Sequence, residues 1–350
     1  MKKKANPNLQ IFGASILMTH LTALVQEMEG VRLGKDIEAV HRMRVASRRL
    51  RATLPLFGPA LAARRHLGWI KSVRGVTRAL GEARDSDVQI EHVKAFLEPL
   101  KPPYRAGVRR LLLRLRQQRL ELQPAVLKAL DKFEKSGLVT EMAQTLAPFD
   151  IYRDRLDLQD PLLLTTAKDA IRPRLEEFLA FDEIVPQPEK VQELHAMRIA
   201  AKRLRYTLET FAPLFEAEAR KYIKVMRASQ DMLGAIHDCD VWEVMLPQFM
   251  EEERQRTVEY FGSARPFNHL VPGLEFYRQA RRKERQNTYQ AFRKNWEEWK
   301  SEGLWDSLQE LVNEPPELME TTVLDEPVEP GTDEQPVVTP LPGDELTSME

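Results

Sequence analysis

Residues 41–59 read HRMRVASRRLRATLPLFGP, and residues 195–213 read HAMRIAAKRLRYTLETFAP. At an offset of 154, eleven of these nineteen positions are identical: His41/His195, Met43/Met197, Arg44/Arg198, Ala46/Ala200, Arg49/Arg203, Leu50/Leu204, Arg51/Arg205, Thr53/Thr207, Leu54/Leu208, Phe57/Phe211 and Pro59/Pro213. Lys202 stands where the first copy has Arg48. The correspondence continues at offset 153. Ile70-Lys71 and Arg74 return as Ile223-Lys224 and Arg227, and Leu80-Gly81, Asp85 and Asp87-Val88 return as Leu233-Gly234, Asp238 and Asp240-Val241. The chain therefore repeats one unit, over 9–136 and 160–302, with a connector at 137–159.

The repeated unit reads as helical. Leu, Ala, Arg, Glu and Gln dominate, glycine is scarce at 15, and no period-two strand pattern is present. The spacing predicts helices over 9–29, 36–57, 60–82, 87–98, 104–135, 161–180, 189–211, 216–234, 240–256 and 273–301, so the fold is expected to be all-α. Gly58-Pro59, Pro102-Pro103 and Pro186-Gln187-Pro188 mark breaks, Gly137 ends a long helix, and Asp36 and Asp160 stand at N-cap positions.

Set on a helical wheel, His41, Arg44, Arg48 and Arg51 share one face, and Met43, Ala46, Leu50, Leu54 and Phe57 share the opposite one. The second copy repeats this, with His195, Arg198, Lys202 and Arg205 opposite Met197, Ala200, Leu204, Leu208 and Phe211. Arg49 and Arg203 flank the stripe. Cations at such spacings repel one another and weaken an isolated helix. Their retention in both copies points to an anion that supplies the missing charge. Lys71 and Arg74, with Lys224 and Arg227, extend the basic set onto the next helix. The fourth helix adds a basic flank, in which Arg109, Arg116, Arg282 and Arg285 are further candidates. Two such stripes facing each other would form a continuous basic groove.

The formal net charge of the 350 residues is only -1. The balance is uneven, because 312–350 holds eleven acids and no Lys or Arg, leaving 1–311 at +10. The acidic, proline-rich segment is expected to be disordered. A single cysteine, Cys239, excludes an internal disulfide framework and suits a reducing compartment. No stretch approaches 18 apolar residues, and none follows the basic start as a secretory signal would. Neither a membrane span nor export is expected, and the cytoplasm is the expected location.

Most catalytic readings fail on the residues. No two of the seven histidines lie closer than 21 residues, so no helical metal pair exists and no metal is expected. Asp85-Ser86-Asp87 and His237-Asp238-Cys239-Asp240 each follow a Leu-Gly. They read as helix starts whose carboxylates cap the helix and tether an arginine such as Arg84. Cys239 has Ser86 as its repeat partner and no duplicated base beside it. No phosphate-binding glycine loop is present. The chain reads as a binding module with no cofactor, not as an enzyme. Nucleic acid is the alternative partner, and a metal-dependent phosphohydrolase using the Asp85/Asp238 loops a further one. The first stripe carries no aromatic for base stacking, and only Tyr206 lies in the second.

The duplicated H-x-x-R-x-x-x-[KR]-R-L-R followed by L-G-x-x-x-D-x-x-V resembles the CHAD domain, the conserved histidine α-helical domain, over about 9–302. The resemblance implies two tandem, pseudo-symmetric four-helix bundles around a central basic cavity. It also implies binding of inorganic polyphosphate, often at polyphosphate granules. Carried over, the ligand residues are His41, Arg44, Arg48, Arg51, Lys71 and Arg74, with His195, Arg198, Lys202, Arg205, Lys224 and Arg227. Some family members carry a triphosphate tunnel domain with an E-x-E-x-K signature. No such signature is found here, so the phosphohydrolase activity of that fusion is not expected. His237 stands where the first copy has Arg84, which makes an unequal grip by the two halves an expectation.

Overall fold

Several helix starts are set by one side chain. The Asp36 carboxylate accepts from the Glu38 backbone N–H, that of Asp160 from Leu163, and the Asn6 amide oxygen from Asn8. Gly137 and Gly303 adopt left-handed backbone between consecutive helices, a conformation that favours glycine. The computed structural model describes residues 6–34, 36–215 and 218–314. The expected disordered tail lies almost wholly outside these residues.

The described chain is all-α, with no strand among the described residues. Its helices are Pro7–Gln26 (α1), Met28–Leu33 (α2), Ile37–Ala62 (α3), His66–Leu97 (α4), Pro102–Lys135 (α5), Leu138–Asp150 (α6), Pro161–Leu179 (α7), Val191–Phe211 (α8), Glu218–Phe261 (α9), Arg265–Asn268 (α10), Val271–Ser301 (α11) and Leu304–Asn313 (α12). Four expectations need correcting. α3 runs through Pro55, Gly58 and Pro59 instead of stopping there. Of the expected segments 60–82 and 87–98, residues 60–62 end α3, a short 3₁₀ turn follows at Ala63–Arg65, and the rest join in one helix, α4; the described part of 216–234 joins 240–256 in α9. The stretch 137–159 contains α6, whose Leu138, Met142 and Leu146 are buried in the core. The second unit extends past 302 through α12, which buries Trp305, Leu308 and Val312.

α1 also corrects the membrane argument. By length and composition, Pro7–Leu33 is apolar enough to cross a membrane. Its Phe12, Leu17, Leu21 and Leu24 are buried in the core, which accounts for its apolar face.

Helices of similar sequence pack in similar surroundings: α3 lies against α1 and α4, and α8 against α7 and α9. The halves are not separate globules, because one core cluster contains residues of both. Two of their junctions bear on the site. Phe57 and Phe211, repeat partners, approach at 5.7 Å, and Phe12 packs on both at 5.8 and 5.9 Å. This brings α3 alongside α8. The second junction is the crossing of α5 and α11. A Cβ on Gly107 would overlap the Leu270 carbonyl, and one on Gly273 would overlap that of Tyr104. Only glycine permits that backbone approach. Tyr104 stacks on Phe276 beside it at 4.4 Å. Around the crossing, Val108, Leu111, Leu115, Trp242, Leu246, Leu274 and Tyr277 form a second apolar cluster.

Candidate functional site

The junction of α3 with α8 sets the two His/Arg stripes side by side. Arg48 donates a hydrogen bond to the Tyr206 hydroxyl across the junction. Its guanidinium lies 5.3 Å from the centre of the Tyr206 ring, and that of Arg205 lies 5.0 Å from it. Tyr206 is itself buried. Lys202 is the most affected member of the group. Burial, with Arg48, Arg198, Arg44 and Arg51 around it, pushes its ammonium down to about 8. Arg48 is pushed down by burial and by Arg44 and Arg205, although Tyr206 opposes this. Arg51 is pushed down by burial and by Arg74 and Arg48. Cations from α3, α4 and α8 thus crowd one region.

The repeated L-G-x-x-x-D lies within α4 and α9, not at a helix start, which corrects the N-cap reading of Asp85 and Asp238. Gly81 and Asp85 are one turn apart and together receive Arg44. A Cβ at Gly81 would overlap the Arg44 guanidinium, and Asp85 pairs with Arg44 at 3.1 Å. Gly234 faces Arg198 more loosely, with its Nε 3.7 Å from where a Cβ would sit. The Asp238 carboxyl is pushed up by burial, with Asp85 and Glu284 adding to the rise and Arg198 opposing it.

The histidines differ between halves. His41 is pushed down by burial and then by Arg84. In the second half His237 takes the place of Arg84, and His195 Nδ1 lies 3.0 Å from His237 Nδ1. Burial, with His195 and Arg198 nearby, pushes His237 down to about 4. His195 is pushed down by burial and by Arg198 and Lys202. Spacing along the chain missed this pair, because the partners are 42 residues apart and meet only through the packing of α8 on α9.

The candidates divide by their partners. Among the described residues Arg48, Arg51, Lys71, Arg74, Arg198, Lys202 and Lys224 have no carboxylate within ion-pair distance, and Arg44 has Asp85. Other candidates are held by acids. Arg49 pairs with Glu209 at 3.4 Å, and Arg203 with Glu177. Arg205 and Arg227 share Glu209 at 3.4 and 3.8 Å. On the fourth helix, Arg282 is held by Glu243 and Arg285 by Asp240. Arg119, tied to buried Asp87 at 2.7 Å, repeats the Arg285–Asp240 pair. Arg109 and Arg116 are not gathered with the stripes. With Lys94 and Arg105 they line a depression between α4 and α5, on the face of α4 opposite Gly81 and Asp85. Cys239 is buried and its thiol is pushed up to about 11, chiefly by burial, so no nucleophile is poised there.

Comparison with known proteins agrees with this architecture. The chain matches the uncharacterized proteins MT2285 and Rv2226 of two Mycobacterium tuberculosis strains, at 27% identity over 187 residues. The match covers 49% of this chain and 33% of each relative, so the chain aligns with about a third of their length. Among solved structures, the CHAD domain from the plant Ricinus communis superposes with a TM-score of 0.57 at 23% identity, covering 79% of this chain and 94% of that one. PptA from Streptomyces chartreusis superposes at 0.52 with 18% identity, covering 82% and 99%. Both share the fold. The family model described as CHAD domain matches residues 15–247, which include both copies of the His/Arg stripe and of the Leu-Gly-to-Asp segment, and the chain belongs to the CHAD domain family.

Proposed function

We propose that this protein binds inorganic polyphosphate without catalysis, through the shared face of α3, α4, α8 and α9. The observation that carries the reading is the uncompensated charge around Lys202. Arg48, Arg51 and Arg198 surround it with no carboxylate in ion-pair range among the described residues. A linear polyanion supplies the missing counter-charge and matches arginine's bidentate preference for phosphate oxygens. On this reading His41, Arg44, Arg48, Arg51, Lys71 and Arg74 act with His195, Arg198, Lys202 and Lys224. The protein would work in the cytoplasm, at polyphosphate granules.

Nucleic acid is the second reading, since any phosphate backbone suits a basic face. The placement of Tyr206 favours polyphosphate. Its ring is buried and flanked by Arg48 and Arg205, so it offers no open face for a base. Phosphohydrolysis at Asp85 and Asp238 is less well supported. Asp85 is engaged with Arg44, and the raised Asp238 carboxyl is a poor ligand for a hard cation.

Calorimetric titration with polyphosphate of defined chain lengths, repeated with duplex DNA and RNA as competitors, tests the proposal. Affinity for polyphosphate is expected to fall by about 10³-fold or more between 50 and 200 mM salt, as counterion release by six or more cations requires. Salt-independent binding would remove the electrostatic mechanism. Preferential binding of nucleic acid would replace the ligand. Phosphate release with Mg²⁺ that is lost in Asp85→Asn or Asp238→Asn would make the protein an enzyme.

A further inference from the structure

The two copies of the basic helix differ in charge at several positions, and at one of them Pro55 corresponds to Glu209. Glu209 joins three helices. It lies 3.4 Å from Arg205 on α8, 3.8 Å from Arg227 on α9 and 3.4 Å from Arg49 on α3. Its Oε1 is buried and receives no hydrogen bond. That oxygen is held by the charge of the neighbouring Arg205 and Arg227 guanidinium groups.

The counterparts of Arg205 and Arg227 are Arg51 and Arg74. These also lie near each other, since Arg74 is the first of the cations that, after burial, push Arg51 down. No carboxylate lies within ion-pair distance of either among the described residues, and both are exposed. The same pair of cations is therefore open in the first half and filled in the second.

We infer that Glu209 is a built-in anion that ends the polyphosphate track in the second half. A bound chain then lies off centre, running from the shared Arg48–Lys202 region out over Arg51 and Arg74. The inference rests on the polyphosphate reading and adds a direction and a limit to it. A phosphate arriving beside Arg205 and Arg227 meets the Glu209 carboxylate, and the repulsion between like charges excludes it. Short chains that fill only the shared region should not sense Glu209. Long chains should.

Calorimetry on the full chain with tripolyphosphate and with long-chain polyphosphate separates the alternatives. Glu209→Gln is expected to raise long-chain affinity about three- to tenfold at low salt, and to steepen the salt dependence by about one to two ions. Tripolyphosphate affinity should shift by less than about twofold. Pro55→Glu, placed one helical turn from Arg51, should do the reverse and lower long-chain affinity, while restoring a backbone N–H within α3. Arg74→Ala should weaken long-chain binding at least about fivefold more than Arg227→Ala. Should Glu209→Gln fail to fold, Pro55→Glu and the arginine pair still decide. Normal wild-type binding with equal losses in Arg74→Ala and Arg227→Ala, or with no effect of Pro55→Glu, would overturn the track and leave the function standing. A blank wild-type titration would remove the function, and the track with it.

Discussion

Arg48 and Arg49 are neighbours in the chain, but the inner face and the flank of α3 give them different chemistry. Arg48 points toward α8, where Tyr206 is its hydrogen-bond partner and Lys202 and Arg205 are its charged neighbours. Arg49 sits on the flank and meets Glu209. Its repeat partner Arg203 likewise meets Glu177. The inner cations raise the electrostatic energy of the free protein, whereas the flanking ones are already neutralised. Identity in both copies therefore does not distinguish a ligand-facing cation from a structural one. For this neighbouring pair the carboxylate that meets the flanking arginine does.

The largest expected effect tests that division directly. Arg48→Ala combined with Lys202→Ala should lower polyphosphate affinity by at least about 100-fold, as expected when two charge-assisted contacts are lost. Arg49→Ala combined with Arg203→Ala should lower it by less than about threefold, because exposed ion pairs contribute little. Circular dichroism should show unchanged helicity in both double variants. Equal losses would erase the distinction between face and flank.

A smaller effect concerns pH. Lys202, pushed down to about 8, loses its charge as pH rises through that value. Anion binding favours the charged form, so affinity should fall between pH 7 and 9, by at most about tenfold per pH unit. Lys202→Arg, which installs the first copy's residue, should flatten this limb. On the acid side burial pushes both His195 and His237 below the usual imidazole range, His237 to about 4, and an adjacent anion raises both. Affinity should therefore rise as pH falls from about 6.5 toward 4, and His195→Gln with His237→Gln should remove part of the rise. The free fold should respond oppositely. Folded-state values below the unfolded one mean that the unfolded chain binds more protons, so stability is lost as pH falls from about 6.5 toward 4. Thermal melts with and without polyphosphate should show that loss shrinking when ligand is present. A pH-independent affinity in the wild type would separate these groups from the ligand.

The smallest effect compares two glycines. Gly81→Ala should push the Arg44 guanidinium off Asp85 and cost a few-fold in affinity. Gly234→Ala, with its nearest atom at 3.7 Å, should leave binding within error and stabilise α9 by about 1 kcal/mol through helix propensity. Equal binding losses in the two would mean that the halves receive their arginines alike.

The glycines also show where sequence reading stops. A Leu-Gly before an acid reads as a helix boundary, because glycine is a poor helix former and Asp a good cap. In the structure the same residues sit mid-helix, the glycine opening space for an arginine from the neighbouring helix. Local propensity was outweighed by a tertiary requirement. The inner stripes themselves were legible, since a period of 3.6 placed the duplicated cations opposite the duplicated apolar residues. Their partners were not. Glu209 was visible as a difference from Pro55, yet its contact with Arg227 on α9 follows only from packing. The same holds for His195 with His237 and for Asp87 with Arg119.

The crossing at Gly107 and Gly273 has a consequence for the entropy of recognition. With backbone against backbone there, and Phe12, Phe57 and Phe211 interlocked at the other junction, the separation of the two halves is set by hard contacts at two distant points. Little freedom then remains to be lost when a ligand spans both halves, so repelling cations are held in register before the ligand arrives. A flexible carrier of the same charges would relax them apart in the free state and would have to regather them for every binding event.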